Sequence, residues 1–352
     1  MSTPISSTGS GHRLAFPRKR KGQVLSHKGR ASGKIILFGE HAVVYGHPAL
    51  AVPVNEVFAE AEVSNISRAG IWINAPDIGL HEKLSRLARE NPLAFVVEAV
   101  FAALSISPHP QPLSQKRERG VCIEIKSTIP IASGLGSGAA VSVAIIRALS
   151  AYLGSPLNDE KVNEIAYEVE KFHHGTPSGI DNTVVTYRKP VFFALTPSPS
   201  PSGRGESAIE SLQVTKPFTI IIADTGIPAP TKKSVSDVRK LWKENPQRMN
   251  AFFAAIGSIT RTARQSIENG HPERLGALMN ENHRILREMG VSCRELDHLT
   301  RTSLNSGAFG AKLSGGGRGG NMIALSTKEN APAIAEALLK AGAKNVIVTQ
   351  IK

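Results

Sequence analysis

The sequence predicts an α+β protein built from two domains. Three observations carry this. The chain has 352 residues, enough for two domains of ~100–200 residues each. Strand-like and helix-like segments follow one another in an order that layers helices on sheets. The composition, 41% hydrophobic and 20% charged, is that of an ordinary globular chain.

Residues 1–30 are rich in Ser, Gly, Lys and Arg, lack apolar periodicity and read as a disordered basic tail. Order is expected from Lys34–Phe38 (KIILF), an apolar β-like run, followed by strand-like alternation over Ala49–Val54 and Val57–Val63. Pro92–Leu104 has helical spacing, and Val121–Ser127 alternates with period two, as a half-buried strand does. A Gly/Ser-rich turn then leads into an apolar helix over Ala139–Leu153. A second helix is expected from Asp159 to His173, with Asn158 as its N-cap and a loop over His174–Asn182 behind it. Ser107–Gly120 and Thr196–Glu206 are Pro/Ser-rich and basic, and read as surface loops.

Phe218–Ala223 opens the second domain. Helical patterns cover Thr231–Glu244, Pro246–Asn269, Pro272–Met289 and Cys293–Ser306. The chain ends as strand, glycine run, strand, helix and strand, with the last strand at Asn345–Ile351. The expected division is a tail over 1–30, a first domain over 31–215 and a second over 216–352.

Several function classes are disfavoured. The longest apolar runs, Pro92–Ser105 and Ala139–Leu153, are too short or too interrupted for the ~18 residues of a membrane span. Two distant cysteines, Cys122 and Cys293, make neither a disulfide framework nor a thiolate metal site. A secretory h-region is missing and the tail shows no amphipathic stripe, so a cytoplasmic protein is expected. The net charge of +13 could suggest nucleic acid. However, Arg13, Arg18, Lys19, Arg20, Lys21, Lys28 and Arg30 supply seven of the thirteen within the tail. The remainder is moderately basic, which suits an enzyme of anionic substrates rather than a specific nucleic-acid binder.

Four segments carry candidate chemistry. Pro130–Ala140 (PIASGLGSGAA) lies between a strand and an apolar helix. Glycines allow close backbone approach, and the helix start offers N–H donors and a positive dipole end to a phosphate. A plain glycine-rich turn is the alternative. Lys312–Asn321 (KLSGGGRGGN) has five glycines in six positions, which suits close approach of backbone to a ligand or a flexible loop. Gly33–Gly46 (GKIILFGEHAVVYG) gathers Lys34, Glu40 and His41 within eight positions. Glu170–Asn182 (EKFHHGTPSGIDN) holds Asp181 behind a Thr-Pro-Ser-Gly turn, where it can act as a general base or merely as a cap. Glu170 can hold a divalent ion.

Together, in this order, the four segments resemble the GHMP kinases, the family named for its galactose, homoserine, mevalonate and phosphomevalonate members. The resemblance covers residues 31–352 apart from the two Pro/Ser loops. Gly39–Asn55, His174–Asn182 and Asp224–Val235 (DTGIPAPTKKSV) look most like the members that act on mevalonate. The resemblance implies a βαβ-type N-terminal domain, a ferredoxin-like C-terminal domain and an active site in the cleft between them. It implies ATP and Mg²⁺, phosphorylation of mevalonate or of another family alcohol, and a homodimer.

It also implies roles for the matching positions. Asp181 is the catalytic base and Lys34 lies beside it. Glu170 and Ser137 hold Mg²⁺. Glu40, His41 and Ser178 face the alcohol. Asn55, Pro130, Ser133, Gly134, Leu135, Gly136, Ser137, Gly138, Ala139 and Ala140 surround the nucleotide, and Ser314–Gly320 shapes the cleft floor. Two departures stand out. The family's GLGSS reads GLGSG here, so Gly138 lacks a metal-binding hydroxyl. The family's TGAGxGGC reads SGGGRGGN here, which adds the cation of Arg318.

Overall fold

The computed structural model describes residues 26–106, 120–130, 133–174, 177–195, 207–229 and 231–352. Residues 107–119 and 196–206, most of the two expected surface loops, lie outside the described residues, as do residues 1–25.

The first half of the chain forms β1 (Ser26–Phe38), β2 (Ala49–Ile66), β3 (Ile71–Ala75), β4 (Leu80–Lys83), α1 (Pro92–Ala103), β5 (Gly120–Ser127), α2 (Ser137–Tyr152), α3 (Asp159–His174), α4 (Ile180–Tyr187), β6 (Val191–Leu195) and β7 (Ser207–Ser211). These strands make one sheet in the order β4-β3-β5-β2-β6-β7, with β1 also paired to β2. Among the described residues of this sheet, only β3 and β5 run parallel. Helix α2 is apolar almost all round and packs on β1 and β2, which explains why it lacks a polar stripe.

The second half forms β8 (Phe218–Asp224), α5 (Thr231–Glu244), α6 (Pro246–Glu268), α7 (Leu275–Glu288), α8 (Arg294–Asn305), β9 (Gly310–Ser314), β10 (Asn321–Ser326), α9 (Ala331–Lys340) and β11 (Asn345–Ile351). Its sheet runs β11-β8-β10-β9 and is antiparallel throughout. Counted from β8, that is the order fourth, first, third, second. With helices between the first and second strands and between the third and fourth, this is the ferredoxin-like layout. β8, β9 and β10 are buried along nearly their whole length because helices cover one face and the rest of the molecule meets the other.

Three local expectations are corrected. Residues 26–30 are strand, not tail: Ser26 pairs with Ser64 and Arg30 with Glu60. The cations there form the outward face of β1. Lys28 meets Glu60 at 3.0 Å, and the Arg30 guanidinium lies 3.5 Å from the centre of the Phe58 ring. Between them Gly29 presses on α2, where a Cβ would come 2.1 Å from the Ala144 carbonyl oxygen. The two strand segments at 49–54 and 57–63 are one strand. Its partner changes register between Ser32 and Gly33, so that residues 55–57 bulge. Finally, Asp181 stands in the first turn of α4 rather than in a loop.

Candidate active site

β1 is the spine of the site. The Lys34 backbone N–H donates to the Leu135 carbonyl at 2.9 Å, which ties the strand to the glycine turn before α2. Within that turn Gly134 and Gly136 take φ of +84° and +73°, a backbone that other residues adopt only with strain. A Cβ on Gly136 would lie 2.8 Å from Lys34 Cγ, whereas among the described residues nothing lies within 4 Å of a Cβ on Gly134. The turn is thus tight against Lys34 and open at Gly134. Helix α2 starts at Ser137 without a side-chain cap. Its first amides and its dipole are available to an anion. Ser133 Oγ donates to the Pro130 carbonyl at 2.8 Å and holds the turn's entry. Leu135, Ala139 and Ala140 turn their side chains into the core, so any contact they make with a ligand is through backbone.

The Lys34 ammonium lies 2.9 Å from Asp181 Oδ1, with Lys34 5% exposed and Asp181 35% exposed. Asp181 is fixed by its helix start. Gly179 takes φ +83°, Thr183 Oγ1 donates to its carbonyl at 2.7 Å, and Asn182 Nδ2 donates to Asn163 Oδ1 at 2.7 Å. Ser178 Oγ lies 3.4 Å from the Ile180 amide, one turn from Asp181.

Glu170, on α3, completes the group. Burial, and then the charge of Asp181, push its carboxyl up to about 7, with Lys34 acting in the opposite sense. A Cβ on Gly138 would stand 3.5 Å from Glu170 Oε1. The residue that departs from the family pattern therefore faces this carboxylate. A buried carboxyl whose proton affinity is raised by burial and by a neighbouring carboxylate makes a place where a divalent cation fits. Among the described residues, no group of three or more His, Cys, Asp or Glu could hold a metal.

A second cluster joins β1 to the C-terminal glycine run. Glu40 and Lys312 form an ion pair with both side chains wholly buried. The His41 ring Nε2 lies 3.1 Å from the Gly316 carbonyl, and burial drives its pKa down to about 4. The ring is neutral at pH 7, so Nε2 carries the hydrogen and donates. Ser314 Oγ donates to the Ile36 carbonyl at 2.7 Å, and Asn321 Nδ2 to that of Ser133. The glycine run thereby sits against both β1 and the phosphate turn. Arg318 takes φ +59° and pairs with Asp237 of α5, so its charge is engaged. Asn55 stands apart: it is exposed on the β2 bulge and lines a cleft with Glu56, Arg188 and Gln350. Lys312 escaped the sequence reading of the site. A lysine inside the apolar strand AKLS was the available signal.

Two sheets meeting over a glycine-rich anion turn, a Lys–Asp pair and a buried glutamate define a small-molecule kinase of the GHMP type. The model for the GHMP kinases N terminal domain matches residues 96–189, and that for GHMP kinases C terminal matches 263–344. A mevalonate kinase of Thermococcus sibiricus is 34% identical over 331 residues, covering 90% of this chain and 94% of its own. One of Pyrococcus furiosus is 35% identical over 311 residues, covering 84% and 88%. The crystal structure of L. major mevalonate kinase in complex with R-mevalonate superposes with a TM-score of 0.78 at 29% identity, over 95% of this chain and 98% of that one. The chain belongs to the GHMP kinase family and, within it, to the mevalonate kinases.

Proposed function

We propose that the protein transfers the γ-phosphoryl group of ATP to the primary (5-) hydroxyl of mevalonate, giving 5-phosphomevalonate and ADP in isoprenoid precursor biosynthesis. The observation that carries the reading is the Lys34–Asp181 pair, set against the glycine turn and beside Glu170.

The chemistry follows from these groups. Asp181 accepts the hydroxyl proton as the substrate oxygen forms its bond to the γ-phosphorus. The bond between that phosphorus and the β–γ bridging oxygen breaks, and ADP leaves. Lys34 orients Asp181 and offsets the negative charge gathered at the transferring group. The amides of residues 134–138 and the start of α2 receive the phosphates; Asn55, expected at the nucleotide, lies away from them in its own cleft. Glu170 and Ser137 would hold Mg²⁺, which neutralises phosphate charge when bound. With glycine at 138, Glu170 carries more of that task. Glu40, His41 and Ser178 face mevalonate.

In this reading the chain divides near residue 215, between β7 and β8. The first domain carries the nucleotide and the base, and the second closes the cleft. A cytoplasmic homodimer is part of the proposal. Among the described residues, no helix is long and apolar enough to cross a membrane. A coupled ADP-release assay with mevalonate, phosphomevalonate, homoserine and galactose tests the substrate: turnover is expected with mevalonate alone.

A further inference from the structure

Resting on the mevalonate reading above, we propose that Lys312 is a positioning residue for the alcohol side of the cleft. Its ammonium holds the Glu40 carboxylate in one orientation and locks the glycine run to β1.

Lys312 comes from β9 and Glu40 from the turn after β1, so the pair joins the two halves of the molecule. Both side chains are wholly buried, and the ammonium lies 5.8 Å from the centre of the Phe38 ring. In such surroundings neither charge is tolerable alone, while a matched apolar pair would serve folding about as well. The consequence particular to the ion pair is geometric. Lys312 Nζ donates to Glu40 Oε1 and, at 2.7 Å, to the Leu313 carbonyl. The same Leu313 presents its amide to His283 Nδ1 at 3.3 Å, and His283 Nε2 meets Asp297 Oδ1 at 3.3 Å. Arg287 holds the other oxygen of Asp297 at 2.9 Å. The ammonium therefore bonds Glu40 on one side and, on the other, the carbonyl of a residue that the second half of the chain holds through its amide.

Glu40 Oε2 is buried and, among the described residues, has no hydrogen-bond partner. A buried carboxylate oxygen left open while its twin is pinned is an acceptor awaiting a donor. The hydroxyls of mevalonate are such donors. The next residue, His41, bonds Gly316, so Glu40 sits where the first domain grips the glycine run. The phosphate turn has its own tie to β1, from the Lys34 amide to the Leu135 carbonyl, in which Lys312 takes no part.

Loss of the cation should therefore separate the two ligands. Calorimetric titration with mevalonate, and separately with a non-hydrolysable ATP analogue, is made on wild type, K312M and K312R. K312M is expected to bind mevalonate ~10-fold or more weakly, the scale of a lost hydrogen bond to a charged group. Its affinity for the analogue should stay within about twofold, as for an independent site. If K312M does not fold, K312R carries the test. The larger guanidinium keeps the charge but displaces Glu40, and the same split is expected. Unchanged mevalonate affinity in the variant that folds, or equal weakening of both ligands, overturns the positioning role. A wild-type enzyme that binds the analogue but not mevalonate overturns the substrate reading instead.

Discussion

Lys34 Nζ and Asp181 Oδ1 stand 2.9 Å apart, one on β1 and one at the start of a short helix. If Asp181 is the base, Asp181→Asn keeps the shape and removes the proton acceptor. Its kcat should fall ~10²-fold or more, with KM for ATP little changed. Steady-state kinetics with both substrates checks this, and an undiminished kcat would remove Asp181 from the role.

Gly136 supports the same pair. A methyl group there meets Lys34 Cγ at 2.8 Å, in a backbone with φ +73°. Gly136→Ala should cost roughly 1–2 kcal/mol from the left-handed backbone. Displacement of the ammonium should add a loss of ~10²-fold in kcat. Thermal unfolding and turnover report the two effects separately.

Gly138 differs from Gly136 in having a helical backbone and room for a side chain. Among the described residues, an added Cβ meets Glu170 Oε1 alone, at an ordinary 3.5 Å. Gly138→Ser should fold normally and lower the Mg²⁺ concentration needed for half-maximal activity, because a hydroxyl joins the carboxylate. A titration of activity with Mg²⁺ decides. A large loss of activity would show that the position requires bare backbone.

Glu170 makes the apo protein's stability depend on pH in a direction unusual for a carboxylate. Its folded value of about 7 lies above the ordinary 4.5. Between those values the folded state keeps a proton that the unfolded chain has released. Its contribution to stability is full below 4.5 and is lost as pH rises through 7, on the order of 3 kcal/mol in total. His41 and His283, both lowered to about 4, act in the opposite sense between about 4 and 6.5. They are common to wild type and variant. Without Mg²⁺, Glu170→Gln should unfold at a higher temperature than wild type, by a margin that widens from pH 5 to pH 7. A margin that stays constant would contradict the assignment.

Much of the site was legible because its parts are short-range. The glycine turn before α2, the GEH segment after β1 and the Asp181 turn each announce themselves within about a dozen residues. The second sheet was legible from its apolar strands and the helix between them. What escaped was long-range or masked. The partner of Glu40 lies 272 positions away, and nothing local in AKLS says which carboxylate its lysine meets. Residues 26–30 were misread because the density of cations hid an exposed–buried alternation, which only pairing with Glu60 and Glu62 makes visible. Arg318 looked like a spare cation near the cleft, but Asp237 engages it.

The most direct test of the central claim is a coupled ADP-release assay on purified protein with ATP, Mg²⁺ and each family alcohol in turn. ADP release that depends on mevalonate, and on none of phosphomevalonate, homoserine or galactose, is the predicted result. Release with another alcohol, or none with mevalonate, would contradict it.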